Sequence, residues 1–144
     1  MIEQDTVKLL RECDAGVKMG TDSISEVVED VKSQEFQKLL DVCLQEHEKL
    51  GDEIQGLLDR YHDEGKNPNP MAKSMSWMKT EMKMAIEPSD QTIADLMTDG
   101  CNMGVKSLNK YLNQYEAADE HTKDITKRLI NLEEKLAIDL RGYL

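Results

Sequence analysis

All three prolines of this 144-residue chain fall between Pro68 and Pro88. Proline removes a backbone donor and its ring clashes with the preceding turn, so helix interiors exclude it. The stretches on either side, 1–67 and 89–144, are therefore open to long uninterrupted helices. They are rich in Leu, Lys, Glu, Gln and Met and contain few β-branched runs, a composition that favours helix.

Apolar spacing supports that expectation. Val7, Leu10, Val17, Ile24, Val28 and Val31 recur at three, four and seven residues, which predicts a helix over about Asp5–Val31 with one apolar stripe. Ser33 suits the N-cap of a second helix, because its hydroxyl can accept from a first-turn amide. That helix carries Phe36, Leu40, Cys43, His47, Leu50, Ile54, Leu57 and Tyr61, and is expected to end near Gly65, a residue that enters the left-handed region at low cost. Asn67-Pro68-Asn69-Pro70 breaks the pattern. A shorter helix is expected over Met71–Ile86, and Glu87-Pro88 ends it. Ser89 or Asp90 caps a third long helix over Asp90–Tyr115, with Ile93, Met97, Cys101, Leu108, Leu112 and Tyr115 inward. After a turn at Ala117-Ala118-Asp119, a fourth carries Ile125, Leu129, Leu132, Leu136, Leu140 and Tyr143 to the C-terminus. Short connections make antiparallel neighbours. The expected fold is all-α: a single-domain antiparallel four-helix bundle of two hairpins, 1–65 and 89–144, joined by a crossover, 66–88, with a short extra helix.

An internal repeat fits two hairpins. Cys13-Asp14-Ala15-Gly16-Val17-Lys18 is similar to Cys101-Asn102-Met103-Gly104-Val105-Lys106, and Glu48-Lys49-Leu50 to Glu134-Lys135-Leu136. In that register Asp14 corresponds to Asn102 and His47 to Glu133.

The formal net charge of −11 repels nucleic acid and anionic membranes, whose binding rests on cationic contacts. No apolar run approaches the ~20 residues that span a bilayer. The first residues, Met1-Ile2-Glu3-Gln4-Asp5, lack a basic segment and an apolar stretch, so a cytoplasmic location is expected. Cys13, Cys43 and Cys101 are odd in number and widely spaced, which argues against a disulfide framework or zinc knuckle. Inside helices they read as small buried apolar residues.

Three features resemble the ferritin-like superfamily, and more narrowly a group of small bacterial ferritin-like proteins of unassigned function. They are Cys13-x-x-Gly16, Trp77-Met78-Lys79 in the crossover, and the second glycine-containing helix around Gly104. The resemblance implies two antiparallel helix pairs and a crossover. Iron chemistry in that superfamily uses carboxylates from two helices and a Glu-x-x-His from each of the others. Here His47 follows Leu44 and His121 follows Ala118 at that spacing; only His62 has an acid, Asp59, near a helix end. The chain departs from a ferroxidase or peroxidase pattern.

The candidate site is a polar layer near mid-bundle: Asp14, Glu46, His47 and Glu133. Imidazole and carboxylates suit transition metals, so a degenerate site for iron, manganese or zinc is one reading; a polar layer fixing helix register is the other, with no cofactor. Were His47 buried without strong partners, leucine would serve in its place. Gly16, Gly20, Gly100 and Gly104 form two Gly-x-x-x-Gly spacings that point to close helix approach. Met71, Met75, Met78 and Met82 make a stripe, with Lys66, Lys73, Lys79 and Lys83 as a basic island. Methionine there fills gaps against the bundle or offers an adaptable surface. No nucleophile–base pair, phosphate loop or aromatic–basic signature is present. The leading expectation is a non-enzymatic helical module acting through protein–protein contacts or self-association at Met71–Ile86, as monomer or homodimer. A metal protein on the His47 layer and a thiol-based redox protein are the alternatives.

Overall fold

The computed structural model describes residues 2–68 and 89–144. They form four α-helices packed together: α1 Ile2–Val27, α2 Gln34–Arg60, α3 Asp90–Gln114 and α4 Glu120–Leu140. Single 3-10 turns follow α1 at Val28–Asp30 and α4 at Arg141–Tyr143. Among the described residues no helix is long and apolar enough to cross a membrane. The expected Met71–Ile86 helix, its methionine stripe and Lys73, Lys79 and Lys83 lie outside the described residues.

Helix starts follow local chemistry. Ser33 Oγ accepts from Phe36 N at 3.3 Å, Ser89 Oγ from Thr92 N at 3.1 Å, and Asp119 Oδ1 from Thr122 N at 2.8 Å. Each hydroxyl or carboxylate satisfies an amide that the first turn leaves unpaired.

α2 ends earlier than the sequence suggests. It stops at Arg60, and the chain turns through His62 at φ 54° before Gly65 at φ 81°. The residues after the turn lie as a strap along α1. Arg11 Nε donates to Asp63 Oδ2 at 3.0 Å, Lys66 Nζ meets Glu12 at 2.6 Å, and Lys66 N donates to Asp14 Oδ2 at 2.9 Å. Lys18 Nζ then reaches Asn67 Oδ1 at 3.3 Å.

Contacts between elements define both ends of the bundle. At one, Asp5 accepts from Ala117 N and Thr6 Oγ1 from Asp119 N. At the other, Asp90 accepts from Lys32 N at 2.8 Å and Ser33 N at 2.9 Å, and the Phe36 and Tyr143 rings stack with centroids 4.4 Å apart.

The buried stripes build two apolar clusters. One joins Ile24, Val27, Phe36, Leu40, Ile93, Met97, Leu136 and Leu140; the other joins Leu10, Val17, Leu50, Ile54, Leu108, Ile125 and Leu129. On α2 Leu58 is buried and Leu57 half-buried, one position from the predicted stripe. Between the clusters, each helix contributes one residue that is either polar or lacks a side chain: Gly20, His47, Gly104 and Glu133.

Candidate functional site

The layer is built around His47, whose side chain is fully buried on α2, and Glu133 on α4, whose side chain is 12% exposed. His47 Nε2 lies 2.8 Å from Glu133 Oε1, and Nδ1 lies 2.8 Å from the Cys43 carbonyl oxygen. Cys43 Sγ is also 3.5 Å from Nδ1. A carbonyl only accepts, so Nδ1 carries a proton. Burial by itself lowers the His47 pKa, but the hydrogen bonds to Cys43 and Glu133 outweigh it and push it up to about 10. The ring is therefore an imidazolium at neutral pH, and Nε2–H donates to a Glu133 carboxylate. The buried pair is neutral as a unit, which removes most of the penalty for burying either charge alone.

Glycine makes room for it. A Cβ on Gly20 would sit 2.7 Å from His47 Cδ2 and 2.8 Å from Nε2, so the imidazole packs on bare α1 backbone. A Cβ on Gly104 would lie 3.8 Å from the Glu133 carboxyl carbon. These are the second glycines of an α1 and an α3 spacing. Gly100, by contrast, faces open space.

Cys101, on α3, completes the surroundings. Burial pushes its thiol pKa up, and the charge of Glu133 and a hydrogen bond to it add to the shift, so the thiol stays protonated and donates to the carboxylate. Cys13 lies apart, 3.1 Å from Thr126 Oγ1, and burial pushes it up to about 11. All three cysteines are free and buried.

The four residues singled out in the sequence do not share one place. His47 and Glu133 meet. Asp14 is buried but six residues before Gly20, about 9 Å lower along α1, where its Oδ2 accepts from Lys18 Nζ at 2.8 Å and from Lys66 N. It anchors the strap. Glu46 is exposed beside a surface cleft of about 20 Å³ that it lines with Leu39, Val42, Cys43, Lys135 and Leu136. The cleft has room for about one water. Sequence reasoning missed Cys43 and Cys101 as partners of the layer. The signal for Cys43 was its place one turn before His47.

His47 does have strong partners, contrary to the condition under which leucine would replace it without loss. Among the described residues, no group of three or more His, Cys, Asp or Glu side chains is placed to hold a metal ion. Both His47 nitrogens are committed, and no buried side-chain nitrogen or oxygen among the described residues lacks a hydrogen-bond partner. Comparisons with protein-family models, with curated proteins and with solved structures each gave no match.

Proposed function

We propose that this chain is a non-enzymatic helical module with a ferritin-like layout, two antiparallel hairpins joined by a crossover, acting through protein–protein contacts. The observation that carries this reading is the closed His47–Glu133 layer. Each ring nitrogen has a partner, the ion pair is neutral as a unit, and two glycines fit it into the core. That is the chemistry of a register-setting layer rather than of a site awaiting a ligand.

The layout draws support from the contacts at the bundle ends. Arg11 meets Asp63, which puts the start of α1 beside the end of α2. Asp90 holds the amides of Lys32 and Ser33, which puts the start of α3 beside the start of α2. The end of α2 and the start of α3 thus lie at opposite ends of the bundle, which supports a ferritin-like crossover between them. Three free, buried thiols suit a reducing compartment and so the cytoplasm.

Thermal unfolding with a chelator, and with added iron, manganese or zinc, tests the layer. A structural layer gives the same midpoint in each condition. A midpoint that rises with one metal, and does so only while His47 is present, would replace this reading with a metal protein.

One observation favours a second reading. Cys43 Sγ lies beside the cationic His47 ring and on the surface cleft, so Cys43 is the cysteine a small thiol reagent reaches first. Fast alkylation of Cys43 in the native state at neutral pH supports a thiol-based role. Slow labelling of all three cysteines removes it.

A further inference from the structure

We infer that Cys43 is an oxidation site for hydrogen peroxide, its sulfur opening onto the cleft between α2 and α4 and backed by the His47–Glu133 pair. The inference rests on the thiol reading of Cys43 given above. The reaction is stoichiometric, so it is compatible with a module that is not an enzyme.

The first observation is an arrangement of three side chains. Cys43 lies one turn before His47 on α2, which puts both on one face. Its Sγ is 3.5 Å from His47 Nδ1, and the far ring nitrogen, Nε2, is 2.8 Å from Glu133 Oε1. A nucleophile, a ring and a carboxylate that fixes the ring form the order found around activated thiols and hydroxyls. Here the ring is already cationic, so it acts as a fixed positive charge beside the sulfur rather than as a base. The Nδ1 proton has the Cys43 carbonyl as its nearer acceptor, at 2.8 Å, and the sulfur as its second. That charge stabilises the negative charge that develops on Sγ as the thiol proton leaves. The other cysteines are placed differently. Cys13 Sγ meets the Thr126 hydroxyl, and Cys101 faces the Glu133 carboxylate, which opposes a thiolate.

The second observation is access. Cys43 is 6% exposed and lines the cleft, whereas Cys13 and Cys101 are 0% and 2% exposed. The cleft, about 20 Å³, takes about one water. Hydrogen peroxide is one oxygen longer than water and enters such a cleft end-on. Bulky organic hydroperoxides and disulfides are far too large. The rim carries Glu46, Asp139 and Lys135, one formal negative charge in excess, which disfavours an anionic oxidant and leaves uncharged peroxide as the substrate.

In the reaction Sγ attacks the nearer peroxide oxygen. An S–O bond forms and the O–O bond breaks. The thiol proton passes to the departing oxygen, which leaves as water. Cys43 ends as a sulfenic acid, oxidised by two electrons, and the peroxide is reduced by two.

Treating native protein with hydrogen peroxide, trapping sulfenic acid with dimedone and reading each cysteine by peptide mass spectrometry tests this. Cys43 is expected to react faster than in the urea-unfolded chain, and Cys13 and Cys101 slower. With cumene hydroperoxide, which the cleft excludes, native Cys43 should instead react slower than in the unfolded chain. The variant His47→Leu/Glu133→Leu is expected to slow peroxide oxidation of Cys43 about a hundredfold, as loss of one anion-stabilising donor does. Mere loosening of the core would speed all three cysteines instead. If that variant does not fold, the comparison of the two hydroperoxides on native protein decides. Native Cys43 that reacts with hydrogen peroxide no faster than in the unfolded chain, or at a rate indifferent to the double substitution, would overturn the inference. Iodoacetamide separates it from the thiol reading. Fast alkylation of Cys43 with slow peroxide oxidation overturns the peroxide inference alone, and slow alkylation with slow oxidation removes both.

Discussion

At the scale of residues, the His47 proton governs the layer. Histidine in an unfolded chain titrates near about 6.5, whereas in the fold, against the opposing effect of burial, hydrogen bonds to the Cys43 side chain and the Glu133 carboxylate hold it up to about 10. The folded state keeps a proton that the unfolded state has released, so stability declines as pH rises through that window and is fully present below it. The groups facing the ring are Glu133 from α4 and Cys43 on its own helix, with Gly20 backbone from α1 and Cys101 from α3 reaching Glu133. The buried thiols of Cys13 and Cys101 act in the same direction from about pH 8 upward, so the range from neutral to about pH 8 isolates His47. Urea unfolding over that range is expected to show falling stability in the native protein and a flat profile in His47→Leu/Glu133→Leu. Removing one partner alone is the harsher change. His47→Leu strands the Glu133 carboxylate and should cost about 3 kcal/mol, while the double leucine variant recovers most of that loss. The glycines separate in the same assay. Gly20→Ala drives a methyl into the imidazole and should cost about 1–3 kcal/mol. Gly100→Ala meets nothing and should stabilise α3 by about 0.5–1 kcal/mol.

The elements show why some features were legible in the sequence and others were not. Helix starts depend on a side chain bonding an amide two or three residues on, so Ser33, Ser89 and Asp119 could be read locally. Asp119→Ala is expected to cost about 1 kcal/mol in thermal or urea unfolding, because it frees the Thr122 amide at the start of α4. The end of α2 was not legible in this way. Gly65 does adopt the left-handed conformation, but His62 takes it first, and the strap that follows is held by Arg11, Glu12 and Asp14 from another helix. Those are tertiary contacts with no local signature. The candidate site divides along the same line. His47 sits on an apolar stripe and its repeat mate is Glu133, so both could be found. Asp14 lies on the correct helix but at the height of the strap, and Glu46, one residue before His47, is turned about 100° out to solvent. Height and rotation in the packed bundle decide both, and neither is visible in spacing alone.

For the whole molecule, the repeat and the polar layer are one feature. His47 and Glu133 are repeat mates, and the hydrogen bond between them spans 86 residues, the offset that relates the second helices of the two halves. A pair of mates in contact marks where the two halves face each other. Exchange of the two, His47→Glu/Glu133→His, keeps the charge pair and should lose less stability than either single exchange, although Gly20 favours the ring on the α2 side. A layer that closes the core in this way is expected to hold no metal. Elemental analysis of untagged protein, expressed with iron, manganese and zinc supplied, tests that most directly. Metal is expected to be substoichiometric and the same in the native protein and in His47→Ala. A stoichiometric metal in the native protein that disappears with His47→Ala would contradict it.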